Sequence, residues 1–383
     1  MPSAESKTLE STALDISVKR SELLSELSIA QGVVERKSTI PVLSHFLLET
    51  SGANLLITAT DTEVGLRTFC PATVRHPGNC TVPARKLYEY VRLLADGEMA
   101  LKALDHGWAQ IRSGRSVTKM VGLPHDSFPN LPLYPADSAV RISASVFRAM
   151  IGRTLFAASQ EDGRYSLNGV LMILQPTMIG MVSTDGNRLA HVEASASITG
   201  LKEDVRVLIP TKALSQLSLL LSSGTVEVFE FAKNDSSLFF RIGSRLLTCR
   251  QLVGTFPNYE PILRQDYRGS LVLPSEELSQ AIQRVSQFSD DRASSIRLNV
   301  DSDQLSLSSS SPEIGESKEI LEASYKGAPL TASFNARFLI DFLRAVGSDT
   351  VQFHFKEPTA AAEFRPASNG EARYRYIVMP MRT

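Results

Sequence analysis

The chain has 383 residues, a formal net charge of −1, and hydrophobic and charged shares of 43% and 21%. That balance excludes a disordered chain and a protein coated in basic residues, although a local basic surface balanced elsewhere is compatible with it. Three cysteines, Cys70, Cys80 and Cys249, show no CxxC spacing, no signal-type leader opens the chain, and no run of about 18 apolar residues occurs, so neither a disulfide framework, a zinc site nor a membrane span is expected, and a reducing cytoplasm fits best.

In chain order, residues 1–13 are polar and are expected to be a flexible extension ahead of a strand over Leu14–Val18. Leu23, Leu27, Ala30 and Val34 then give a helical stripe. Alternating strands follow, with a hairpin at Ser51-Gly52-Ala53-Asn54, and a second helix carries Leu87, Val91 and Leu94. The same kinds of element return twice. Phe147, Met150, Ile151, Thr154, Leu155 and Ala158 form the next stripe, Leu214, Leu217 and Leu221 mark the second helix, and a hairpin turns after it at Lys233-Asn234-Asp235-Ser236. Last come Leu278, Ala281, Ile282 and Val285 after the start signal Pro274-Ser275-Glu276-Glu277, then Phe338, Leu339, Phe342 and Val346.

Each round closes on a similar mark: Phe128-Pro129-Asn130, Phe256-Pro257-Asn258 and Met379-Pro380-Met381, with the prolines 128 and 123 positions apart. That period is too long for solenoid repeats and matches whole domains. We therefore expect an α+β protein of three repeated domains, residues 14–138, 139–268 and 269–383, each with two helices packed on antiparallel sheets.

The polar helix faces carry a further pattern. Arg85 and Arg92 stand seven apart on one helix, as do Arg337 and Arg344 on its counterpart, and Lys212 opens the third. Recurrence at equivalent positions points to a basic track for phosphates. No phosphate loop, zinc helix or nucleophile elbow occurs, and Ser183, Asp185 and His191 are better explained by a tight turn than by a catalytic triad. Asp290-Asp291 beside Arg292 reads as a solvated loop. No catalytic residue, cofactor or metal is assigned.

Several ordered segments carry a resemblance. Thr81-Val82-Pro83-Ala84-Arg85-Lys86, Arg112-Ser113-Gly114-Arg115-Ser116, Arg164-Tyr165 with Leu167-Asn168-Gly169, Thr184-Asp185-Gly186 with Arg188-Leu189-Ala190, Phe256-Pro257-Asn258-Tyr259 and Val378-Met379-Pro380-Met381-Arg382 are similar to those of the bacterial sliding clamp family, the beta subunit of DNA polymerase III. The resemblance covers essentially the whole chain after residue 13. It implies a non-enzymatic processivity factor, a head-to-tail homodimer closing a ring around duplex DNA without sequence preference. It also implies the DNA polymerase III alpha subunit, an ATP-dependent clamp loader, repair polymerases, ligase and mismatch-repair proteins as partners. A duplicate clamp specialised for repair or for resistance to a clamp-directed inhibitor is the alternative.

By the same resemblance, Lys37, Arg85, Lys86, Arg164, Tyr165 and Lys212 would lie on or near DNA. A partner-peptide pocket would be built from Leu167, Thr184, Gly186, Arg188, Leu189, Pro257, Val378, Met379, Pro380, Met381 and Arg382. Phe288 would anchor the dimer seam. Methionines at the chain end suit such a pocket, because soft thioethers adapt to many peptides. The sequence departs from the family example at Glu161, Ser166 and Asn187, where that example has glutamine, tyrosine and histidine, and at Val117 and Thr118 on the seam.

Overall fold

The computed structural model describes residues 14–35, 39–161, 163–222, 226–290, 294–368, 370 and 372–381. Its contacts divide the chain into two compact units, Met1–Arg141 with Ser215–Arg250, and Ile142–Leu214 with Gln251–Thr383. The cut runs through the second repeat. The expected extension over residues 1–13 lies outside the described residues.

Among the described residues are seven helices: α1 (Arg20–Ala30), α2 (Ala84–Leu93), α3 (Ala144–Thr154), α4 (Thr211–Leu221), the short α5 (Glu260–Leu263), α6 (Ser275–Ser286) and α7 (Ala336–Val346). The predicted stripes are buried: Leu23, Leu27 and Ala30 on α1, Leu87 and Val91 on α2, Leu278, Ala281, Ile282 and Val285 on α6. Helix ends differ from the stripes by a few residues. Val34 falls in the bend after α1, Leu94 leaves α2 with extended backbone, and Ala158 follows a 3-10 turn over Leu155–Ala157. In the first unit the Arg20 guanidinium donates to Val91 O and Arg92 O, at 3.0 and 2.6 Å, placing a cation on the negative end of α2. On α7 the Asn335 carboxamide caps Arg337 N at 2.9 Å, and Gly347 ends the helix with φ 61°.

Among the described residues the strands fall into four sheets, built largely of antiparallel hairpins and their antiparallel neighbours. A sheet of eight strands has the order 140–143, 228–233, 237–242, 245–250, 64–71, 54–60, 45–51, 79–83, of which all but the first lie in the first unit. Here strand Arg245–Arg250 of the second repeat pairs with Val64–Pro71 of the first, Leu247 opposite Leu66. In the second unit a sheet of nine strands has the order 205–210, 169–175, 178–184, 188–195, 372–378, 362–366, 350–355, 269–274, 324–326. Arg188–Ser195 of the second repeat pairs with Ala372–Val378 of the third over seven residues, from Arg188 opposite Val378 to Ala194 opposite Ala372. The smaller sheets are 73–76, 15–19, 98–103, 108–113, 116–121 in the first unit and 315–322, 304–311, 295–300, 330–335 in the second.

The two junctions are the same junction, one repeat apart. Val64–Pro71 and Arg188–Ser195 hold equivalent places in their repeats, as do Arg245–Arg250 and Ala372–Val378. The first junction is reinforced by an ion pair: Arg245 on its strand donates to Glu26 of α1 at 2.9 and 2.6 Å, and Thr68 Oγ1 also donates to that carboxylate. Both side chains are mostly buried, 20% and 12% exposed. The three cysteines are free thiols, and burial pushes the Cys80 and Cys249 thiols up to about 12. Among the described residues no helix is long and apolar enough to cross a membrane.

Glu26→Gln leaves the Arg245 guanidinium under-paired in a place water reaches poorly, which should cost about 2 kcal/mol. Urea unfolding followed on the first unit reads this as a lower midpoint, and an unmoved midpoint would mean that the pair adds no net stability.

Candidate partner pocket and basic helix faces

The turn between strands Met178–Thr184 and Arg188–Ser195 is built by its own side chains. Asp185 Oδ1 accepts from Asn187 N and Arg188 N at 2.9 and 3.0 Å, while Thr184 Oγ1 donates to Arg188 O at 2.6 Å and accepts from Gly186 N at 3.0 Å. Gly186 sits at φ +93°, a backbone conformation that favours glycine, and a Cβ there would meet the movable Arg164 Nη1 at 2.8 Å. Arg164 in turn donates to Asp185 O at 2.7 Å and pairs with Glu161 at 3.0 Å. Its guanidinium, expected near DNA, is thus tied to the turn.

The chain end lies beside this turn because the junction puts it there. Met379 N donates to Asn187 O at 2.8 Å, and Met381 N to Ser333 O at 2.7 Å. Val378 is fully buried, whereas Met379 is 46% exposed, and Pro380 and Met381 are partly exposed. Behind them, Leu189 and Ile377 belong to a cluster with Leu171, Ile173, Val182, Leu208 and Tyr259, against which Phe256, Leu252 and Leu263 pack. Phe256 meets Tyr259 edge to face, centroids 6.2 Å apart. The repeated Phe-Pro-Asn mark thereby acquires a use: Phe256 plugs the sheet and Pro257 stays exposed next to it.

Leu167 is half-buried in a 3-10 turn, Tyr165–Leu167, whose Ser166 approaches Gly254; a Cβ on Gly254 would lie 3.2 Å away. Thr184, Gly186, Arg188, Val378 and Met379 are thus joined through one strand pair and its turn, and Leu189 lies in the cluster on which Phe256, the neighbour of Pro257, packs. Arg382 lies outside the described residues.

Arg188 is the most engaged of these side chains. Nε donates to Asp185 Oδ2 at 2.9 Å, Nη1 to Asp341 Oδ2 on α7 at 2.7 Å and Nη2 to Phe156 O at 2.7 Å. The guanidinium carbon stands 4.3 Å from the Phe338 ring centroid and 5.5 Å from that of Phe156. Burial alone would lower its pKa, but Tyr376, Asp341 and Asp185 outweigh that and raise it above the ordinary arginine value. No sequence signal pairs Asp341 or Phe156 with Arg188, since Asp341 is 153 residues away, and Phe338 is marked only as part of a helical stripe.

On α2, Arg85, Lys86 and Arg92 are exposed. Arg85 Nε meets Glu89 Oε1 at 2.7 Å and Lys86 Nζ meets Glu89 Oε2 at 3.5 Å, so one carboxylate serves two cations. The Arg85 hydrogen bond leads in holding the Glu89 carboxyl below the usual range. That moderation was legible as spacings of four and three on a helix. Arg337 and Arg344 are exposed on α7, Lys212 is half-buried at the start of α4, and Tyr165 is 71% exposed. Lys37 lies outside the described residues. Phe288 is half-buried beside the edge strand Gly315–Glu322, where a Cβ on Gly315 would come within 3.9 Å of its ring. Ser183 Oγ donates to Thr154 O, and His191 Nε2 pairs with Glu193 at 3.4 Å, so Ser183, Asp185 and His191 form no triad. Among the described residues no group of three or more metal-ligating side chains gathers.

The family models for the DNA polymerase III beta subunit match in order, the N-terminal domain over residues 14–132, the central domain over 141–258 and the C-terminal domain over 261–382. The beta sliding clamp of Pseudomonas putida is 32% identical over 376 residues, covering 96% of this chain and all of that one. A crystal structure of the Pseudomonas aeruginosa sliding clamp bound to griselimycin is 31% identical with a TM-score of 0.90, covering 97% of this chain and all of that one. The Bacillus subtilis sliding clamp, at 24% identity, shares the fold with a TM-score of 0.91 over 97% of this chain and all of that one. The chain belongs to the DNA polymerase III beta subunit family, the beta sliding clamps.

Proposed function

We propose that two copies of this chain close head to tail around duplex DNA, and that the pocket at the chain end holds peptide segments of the replicative polymerase and of other clients. One observation carries the reading. Each internal junction pairs the strand type of 64–71 and 188–195 with that of 245–250 and 372–378, and one strand of each type is left over: 315–322 in the third repeat and 116–121 in the first. Among the described residues, each is the outer strand of its sheet.

An exposed strand edge is a template for pairing, and these two edges are complementary in more than backbone. Arg115 and Lys119 stand on or beside one, and Glu313, Glu316 and Glu322 on or beside the other, all exposed. Val117 and Val121 on the first and Ile314 and Ile320 by the second are exposed apolar side chains, with Phe288 next to the latter. A third junction of the same kind between copies is heterologous and closes a ring if the rotation allows. Family membership supports closure by two copies.

The basic helix faces supply the DNA contact. A ring linked topologically to duplex needs only weak, sequence-blind attraction to phosphates, and Arg85, Lys86 and Arg92 offset by Glu89 have that character. The partner pocket would serve the DNA polymerase III alpha subunit, repair polymerases, ligase and mismatch-repair proteins in turn, and an ATP-dependent loader would open the ring. Griselimycin bound to the P. aeruginosa relative supports a ligand-accepting surface in this family. The relatives' names support the general clamp and give nothing to the specialised copy.

Three outcomes are expected. Light scattering should find a dimer in solution, and Ile320→Lys with Phe288→Asp should yield monomers; an intact dimer would remove this edge from the seam. Arg85→Glu with Arg92→Glu should weaken duplex binding at low salt about tenfold and flatten its salt dependence, with client-peptide affinity unchanged; unaltered binding would take α2 off the DNA face. A chain ending at Val378 keeps the buried strand and loses Met379–Thr383, so a fluorescent client-type peptide, Gln-Leu-Ser-Leu-Phe, should bind the full chain saturably and the shortened one not at all.

A further inference from the structure

We infer that Asp341 on α7 is a positioning residue of the client pocket, holding its wall through Arg188; this rests on the clamp reading above. The Arg188 guanidinium, 11% exposed, gives one donor each to Asp185, Asp341 and Phe156 O and lies against the Phe338 and Phe156 rings. A cation so committed shapes a wall and has little left with which to grip a peptide directly. Asp185, its second carboxylate, also fixes the pocket turn through Asn187 N and Arg188 N. Between them, Arg188 and Asp185 therefore tie the turn of the second repeat to the helix of the third.

Asp341 stands four residues after Arg337 and three before Arg344, the spacing that puts all three on one helical face. Either arginine could claim it by the usual helical pairing. Its Oδ2 instead meets Arg188 at 2.7 Å, across the junction. The pair thus does two jobs: it fixes the pocket wall, and it neutralises a carboxylate that would otherwise sit between two cations on the face offered to DNA. Pocket and basic helix share one charge network.

The test is a titration of the peptide Gln-Leu-Ser-Leu-Phe against the full chain and its variants, with thermal unfolding followed in parallel. Asp341→Asn should weaken binding about tenfold while the melting transition is kept, as expected when one partner of a mostly buried, hydrogen-bonded pair is lost. Asp341→Glu, which keeps the charge, should bind within about threefold of the parent. Arg188→Gln should cost about as much as Asp341→Asn, and the double variant no more than the worse single one, because both break one contact. An Asp341→Asn affinity within twofold of the parent, or losses that multiply in the double variant, would overturn the inference. If Asp341→Asn does not fold, Arg188→Lys, which keeps the charge and loses the fork, takes its place with the same expected loss and the same twofold threshold. No binding by the parent chain would instead strike the pocket reading itself.

Discussion

A β-strand at the edge of a sheet presents a row of unsatisfied N–H and C=O groups, and most of this molecule follows from how those rows are used. The second repeat lends strand 245–250 to the first repeat and strand 188–195 to the third. Each loan makes one continuous sheet out of two repeats. For that reason the compact units do not coincide with the repeats: residues 142–214 of the second go with the third, and 215–250 with the first. Repeat boundaries record how the chain was duplicated, whereas unit boundaries record where hydrogen bonds and apolar contacts are dense.

The proposed pocket would be a by-product of the same constraint. With Arg188 opposite Val378, the tight turn before the one and the chain end after the other must emerge side by side. The turn is rigid, fixed by Thr184, Asp185 and the positive φ of Gly186; the chain end is soft, with Met379 half exposed. A rigid rim and an adaptable floor suit one surface to several peptides, since the rim sets register while the thioethers repack. Buried ion pairs at both junctions add orientation more than net stability, because the desolvation of the charges offsets much of their attraction.

The repeat, the antiparallel hairpins and the stripes on α1, α2, α6 and α7 were legible because they are local or periodic. Phe256 was legible as a mark without its purpose, which needs the sheet it plugs. Helix ends slipped where the chain turned before the stripe was exhausted, at Val34, Leu94 and Ala158. Of the partners of Arg188, only Asp185, three residues away in the same turn, was within reach of the sequence: Asp341 lies on another repeat, and Phe156 contributes a backbone carbonyl that its residue type does not advertise. Arg164 is placed near DNA by the resemblance, and only the fold shows its charge spent on Asp185 O and Glu161. Sequence reports which side chains can ionise, and tertiary contacts decide which remain available.

That availability bears on sliding. A cation with no counter-ion holds a phosphate firmly, and a row of them would give the DNA deep resting places at each step of the phosphate spacing. Here cations repeatedly have a carboxylate within reach: Glu89 under Arg85 and Lys86, and Glu161 beside Arg164. Each pairing makes the attraction shallower without reversing its sign. A net charge of −1 over the whole chain gives no bulk attraction to DNA, which fits the proposed retention by topology in a sealed ring with smooth faces inside it. On the proposed reading, the strong, specific contacts are spent where movement is unwanted, at the strand junctions and the pocket wall, and the weak ones where the DNA would pass.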